Sequence, residues 1–92
     1  MLMKDTKVTI TIGIATYNGE SFIKRAIDSI INQSLSNFEI LISDDGSTDK
    51  TIEICKEYGT KDNRIKMFIQ DTQLGEHKNK NFIVKKASGK FF

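Results

Sequence analysis

Residues 40–50, ILISDDGSTDK, decide how this chain folds. A run that is apolar at nearly every position meets two adjacent aspartates, and a Gly-Ser-Thr turn follows. Continuous rather than alternating hydrophobicity marks a strand covered on both faces, as in a parallel sheet under helices. The run therefore predicts a strand over Phe38–Ser43, with a loop from Asp44 at its carboxyl end. Adjacent residues on an extended chain point to opposite sides, so the two carboxylates have different jobs. One can turn inward and accept hydrogen bonds from its own loop, as Asp does in turns. The other can face a cleft and accept an N–H, such as the N3–H of a uracil ring. A pair of turn-forming and helix-capping acids is the competing reading of the same residues.

Upstream, VTITIGI over Val8–Ile14 alternates Val8, Ile10, Ile12 and Ile14 with threonines and a glycine, which predicts a first strand. Beyond the polar turn Thr16–Glu20, the positions Phe22, Ile23, Ala26, Ile27, Ile30 and Ile31 line one helical face. Downstream, Thr48 or Asp49 can cap a second helix carrying Ile52, Cys55 and Tyr58, with Gly59 as its stop. Arg64–Ile69 predicts a third strand, and roughly Glu76–Ala87 a third helix. Lys90-Phe91-Phe92 reads as the opening of a fourth strand, cut off in mid-element. Alternating strands and helices build a parallel sheet through βαβ crossovers. In such sheets ligands collect beyond the carboxyl ends of the strands, where the loops Ala15–Asn18 and Asp44–Ser47 both fall.

Composition narrows the function classes. Ninety-two residues make one domain at most, with 38% apolar and 28% charged residues typical of a globular chain. A net charge of +2 is too small to argue for a nucleic-acid or membrane surface. The single cysteine, Cys55, excludes an internal disulfide and a Cys-based zinc site, and reads as a small buried hydrophobe. The first residues, MLMKDTK, lack the apolar core of a signal peptide and no run is long enough to span a membrane, so a cytoplasmic chain is expected. Neither the P-loop pattern nor G-x-G-x-x-G follows the first strand, and with His77 as the only histidine a Ser-His-Asp triad has no basis. What remains at the rim is Tyr17, whose ring offers a base a stacking face, beside the aspartate pair. Tyr17 reads equally as an amphipathic residue packed on the first helix. The third helix is basic, with Lys78, Lys80, Lys85 and Lys86, which suits a diphosphate or simply a solvated face.

The stretch IGIATYNGESFIKRAIDSIINQSLSNFEILISDDGSTDKT, Ile12 to Thr51, resembles the opening of family 2 glycosyltransferases. Thr16-Tyr17-Asn18, Ser29 with Gln33-Ser34, Asn37-Phe38-Glu39 and Asp44 through Asp49 carry the resemblance, which continues through Asn63-Arg64-Ile65, Gly75, Lys80-Asn81 and Ala87-Ser88-Gly89. It implies a Rossmann-like GT-A half, and an inverting enzyme that takes sugars from nucleotide diphosphates, UDP-sugars first among them. By position it implies that Ala15 and Tyr17 line the nucleobase pocket and that Asp45 binds the base. Asp44 would be structural or a secondary contact, and Glu20 would approach the same site from the first helix. Lys80 falls where such enzymes often carry arginine, and Ala15 where proline is usual; lysine keeps the charge but loses the planar fork.

The same resemblance implies Mg²⁺ or Mn²⁺ held by an Asp-x-Asp motif beyond Phe92, with the catalytic base further on. Residues 1–92 would then be the N-terminal nucleotide-binding part of the domain, inactive alone, with no catalytic or metal residue of their own. Membrane association would come only through other regions. A stand-alone flavodoxin-like binding or regulatory domain, and a module that forms homo-oligomers through its truncated sheet edge, are the alternative readings.

Overall fold

The computed structural model describes residues 2–5, 10–33 and 37–87, the first of these segments as backbone. Along the chain these form β1 (Leu2–Asp5), β2 (Ile10–Thr16), α1 (Ile23–Ile31), β3 (Phe38–Asp44), α2 (Thr51–Lys61), β4 (Ile65–Ile69) and α3 (Glu76–Lys86). One sheet holds all four strands in the order β1-β2-β3-β4. Its β2, β3 and β4 are parallel, with Ile10 opposite Phe38, Thr16 opposite Asp44, and Asp44 in turn opposite Ile69. The three strand ends that carry the rim loops are therefore in register.

Strand periodicity assigns the faces. Ile12, Ile40, Ile42 and Ile65 project to one side and bury against Ile23, Ile27 and Ile30 of α1 and Cys55 of α2. Leu41 projects to the other side, where it packs with Ile83 of α3 and with Ala87, flanked by Ala15 and Phe68. Helices α1 and α2 thus cover one face and α3 the other. This is why the middle of β3, Ile40–Ile42, is continuously apolar: every residue from Ile40 to Asp44 is buried. Phe68 and Phe82 meet edge to face at 5.4 Å on the α3 side.

Helices α1 and α2 are joined by a hydrogen bond of 2.5 Å from Tyr58 Oη to Asp28 Oδ1. That bond, together with burial and the charge of Asp28, pushes the Tyr58 phenol pKa up to about 12. Cys55 is fully buried, and burial, reinforced by the Asp44 carboxylate, pushes its thiol up to about 11.

Two local readings change, and one strand had no reading at all. Leu2–Asp5, to which the sequence analysis assigns no element, pairs antiparallel with β2, Leu2 opposite Gly13 and Asp5 opposite Ile10. Backbone ladder bonds to an open edge carry no side-chain signature, so composition does not reveal them. Gly59 does not end α2, which runs on to Lys61. The last turn is held by a Lys61–Glu57 ion pair at 3.1 Å and by Thr60 Oγ1 donating to the Glu57 carbonyl, which offset the glycine. The strand read as Val8–Ile14 runs on to Thr16; Val8 and Thr9, like the expected fourth strand at Lys90, lie outside the described residues.

Because Ile40 is fully buried in the central strand, Ile40→Ala should lower unfolding free energy by about 2–5 kcal/mol in denaturant titration. Val84→Ala, on the exposed side of α3, should stay within about 0.5 kcal/mol of the unsubstituted chain.

Candidate functional site

At the end of β3 the alternation that sorts the core also sorts the two aspartates. Asp44 is 0% exposed and turns toward the α2 side. Its Oδ2 accepts the backbone N–H of Gly46 (3.0 Å) and Ser47 (2.8 Å), and its Oδ1 accepts the Ser47 hydroxyl (2.5 Å). Gly46 sits at φ +86°, a conformation open to glycine and strained for other residues, which lets the loop fold back onto the carboxylate. Asp45 turns toward the α3 side. Its two oxygens accept the N–H groups of Leu74 (2.7 Å) and Gly75 (2.9 Å), pinning the loop that feeds α3. Gly75, at φ +89°, is the residue that starts that helix.

The loops after β2 and β3 are tied to each other. Asn18 donates its backbone N–H to Ser47 Oγ at 2.8 Å, and its side-chain carbonyl accepts the N–H of Thr48 at 2.8 Å. Glu20 accepts the Lys50 N–H at 2.9 Å, while its own N–H donates to Asp49 Oδ2 at 3.1 Å. Asp49 also accepts the N–H of Thr51 at 2.9 Å, but the N-cap position of α2 is Lys50, one residue beyond the expected Thr48 or Asp49, and it makes no side-chain capping bond. Desolvation works against the Asp49 charge, but the Thr51 hydroxyl and amide and the Glu20 amide outweigh it and hold its pKa below the ordinary value.

Below the rim, Ser43 and Asn79 form a buried pair between β3 and α3. Ser43 Oγ donates to Asn79 Oδ1 (2.5 Å), Asn79 Nδ2 returns a bond to the Ser43 carbonyl (2.9 Å), and Gln70 Nε2 reaches Ser43 Oγ (3.0 Å). Thr16 Oγ1, at the end of β2, is buried without a partner.

Between these parts opens a cleft of about 310 Å³. Ala15, Thr16 and Tyr17 line it from the end of β2 and the loop beyond, Asp45 from the end of β3, and Gln73, Gly75, Glu76, Asn79 and Lys80 from α3 and the loop before it. Four of the six expected site residues, Ala15, Tyr17, Asp45 and Lys80, therefore converge. Asp44 and Glu20 do not line the cleft; both are spent on loop amides. Tyr17 is 47% exposed, so its ring is accessible to a flat ligand. Lys80 Nζ lies 3.1 Å from Glu76 Oε1, one turn earlier on α3. Gln73, Glu76 and Asn79 were not singled out from sequence; Asn79 lies one helical turn from Glu76 and next to Lys80, a spacing that could have placed it on the cleft side. A second cleft of about 320 Å³ adjoins the first through Ala15 and Lys80 and is bounded by Ala26, Ser29 and Ile30 of α1.

The cleft combines an aromatic face, a carboxylate with acceptor sites to spare and an ammonium group. It does not make a cation cage. Among the described residues no three His, Cys, Asp or Glu side chains converge, and the two cleft carboxylates are committed to amides and to Lys80. Among the same residues no helix is long and apolar enough to cross a membrane.

An alternating α/β sheet with its cleft at the carboxyl ends of parallel strands is the architecture of a Rossmann-like domain. Residues 11–92 match glycosyl transferase family 2, and the chain belongs to that family. It is 40% identical over 82 residues to a glycosyltransferase of Haemophilus influenzae, covering 89% of this chain and 33% of that protein. The fold superposes on S. aureus TarS residues 1–349 with a TM-score of 0.77 at 33% identity, over 86% of this chain and 24% of that one. Its fold matches the Rossmann-like N-terminal half of the GT-A fold. A mannosyltransferase of Pyrobaculum calidifontis, solved with GDP-Man and Mn²⁺, shares the fold with a TM-score of 0.77 at 21% identity, over 89% of this chain and 25% of its own. The chain spans a third or less of the length of each.

Asp44→Ala strands three donors and should cost at least about 2 kcal/mol of stability. Asp45→Ala should leave the core intact but raise hydrogen-exchange rates at the Leu74 and Gly75 amides. Asp49 is favoured as carboxylate in the fold, so its contribution is present above the ordinary pKa of 3.8 and lost as pH falls through the lower folded value. Acid titration of stability should therefore show a decline below about pH 4 that is smaller in Asp49→Asn.

Proposed function

We propose that this chain binds the nucleoside diphosphate portion of a sugar donor, a UDP-sugar, in the cleft between Tyr17 and α3. The protein of which it is part would transfer that sugar to an acceptor hydroxyl with inversion. The observation that carries the reading is the convergence of Tyr17, Asp45 and Lys80 from three separate elements in one cleft. A base stacked on Tyr17 presents its ring N–H to Asp45, which keeps acceptor capacity beyond its two amide bonds. Lys80, released from Glu76, is the cation available to a diphosphate. Membership of glycosyl transferase family 2 supports the same reading.

In this scheme Asp44 and Glu20 hold the rim loops and do not touch the ligand. Neither the group that deprotonates the acceptor nor the ligands of a divalent cation are assigned among the described residues. Mg²⁺ or Mn²⁺ is proposed for the complete enzyme only, and no step in this chain runs through it.

Calorimetric titration with UDP, Mn²⁺ present, should give saturable binding. Tyr17→Ala should weaken it by about 1–3 kcal/mol, roughly 5- to 150-fold. Asp45→Ala should abolish it, whereas Glu20→Gln should leave it unchanged. No saturable binding by a chain that is folded by circular dichroism would sink the reading.

A further inference from the structure

Asn79, Ile83 and Ala87, spaced four apart and all buried, form the seam by which α3 meets the sheet. Two of the three are apolar and pack with Leu41. The other is an amide, and it stands on the half of the helix that brings Glu76 and Lys80 to the cleft. A buried polar group is costly unless its bonds are complete, and those of Asn79 run in one direction. The Gln70 Nε2 group can only donate, so when it reaches Ser43 Oγ at 3.0 Å the hydroxyl proton is left for Asn79 Oδ1, which accepts it at 2.5 Å. Asn79 Nδ2 must then face the Ser43 carbonyl, to which it donates at 2.9 Å. Apolar contacts alone tolerate small rotations of a helix on a sheet. This chain of bonds, from the residue after β4 through β3 to α3, admits one placement.

That placement bears on the ligand. Ser43 immediately precedes the two aspartates, and its partner Asn79 immediately precedes Lys80. The pair therefore ties the cation of the cleft to the strand end that carries Asp45. Lys80 is a flexible point charge, and among the described residues its ammonium is paired only within α3, with Glu76 Oε1 at 3.1 Å. Where it can reach is set by where its backbone stands. We infer that Asn79 is a positioning residue: through its two bonds to Ser43 it fixes the first half of α3 on β3, and so sets the span between Asp45 and the Lys80 ammonium to that between the base and the diphosphate of one nucleotide. This rests on the nucleotide reading above and adds to it the element that spaces its two recognition groups.

The test is a double-mutant cycle on UDP affinity in the 92-residue chain, with denaturant unfolding of every variant. Lys80→Ala should weaken UDP binding about 10-fold or more, as for loss of a charge-assisted hydrogen bond. Asn79→Ala should weaken it about 3- to 10-fold while Lys80 is present, and by less than about 2-fold in the Lys80→Ala background, where there is no cation left to place. Ser43→Ala keeps the Asn79 bond to the carbonyl at position 43 and should give the same pattern with a smaller loss. It takes the place of Asn79→Ala in the cycle if that variant does not fold. A loss that came only from a less stable chain would appear in both backgrounds. Equal loss in both, or loss in neither, overturns the inference while leaving the cleft assignment standing. Absence of UDP binding by the unsubstituted chain, folded by circular dichroism, overturns the nucleotide reading and the role of Asn79 with it.

Discussion

The arrangement of this molecule depends on the two-residue period of one strand. Extended backbone sends neighbouring side chains to opposite faces, and at the end of β3 that rule acts on two carboxylates instead of two apolar groups. Asp44 goes to the side of α1 and α2, Asp45 to the side of α3. Each then gathers the loop that leads to the helices on its own face. A shift of one residue in register would exchange these partners and bury the wrong hydrophobic set at the same time. Core and rim are thus specified by the same alternation.

Buried carboxylates are costly unless their hydrogen bonds are complete. Here the cost is met by backbone amides rather than by cations, so the loops cannot move away without exposing an unsatisfied charge. The cross-links from Asn18 and Glu20 to the loop over residues 47–50 extend the same logic across the rim. The Tyr17 side of the cleft is therefore held in place before any ligand arrives, which lowers the entropic cost of binding.

Much of this was legible in the chain. The continuous apolar run of β3, the helical spacing of Ile23, Ile27 and Ile30, and the divergence of Asp44 and Asp45 all follow from periodicity. Most of what escaped was non-local. Strand β1 exists because β2 offers an edge, and nothing within Leu2–Asp5 announces it. Gly59 carried a stop signal that side-chain bonds in the last turn of α2 override. Glu20 lies near the rim in sequence, but its carboxylate is taken by Lys50, a residue thirty positions away. Gln73 is one polar loop residue among several until Asp45 draws its neighbours inward.

The fully buried Cys55 gives the chain an internal reporter. Its thiol is screened by α2 and kept protonated by its surroundings, so at neutral pH it is both unreachable and unreactive while the helix stays seated. A thiol reagent can modify it only in states where α2 has lifted from the sheet. Since the chain has one cysteine, the labelling rate counts those openings with no competing site. The same helix begins on the rim at Thr51, whose amide is held by Asp49, so that rate would also register how firmly the rim is tied down.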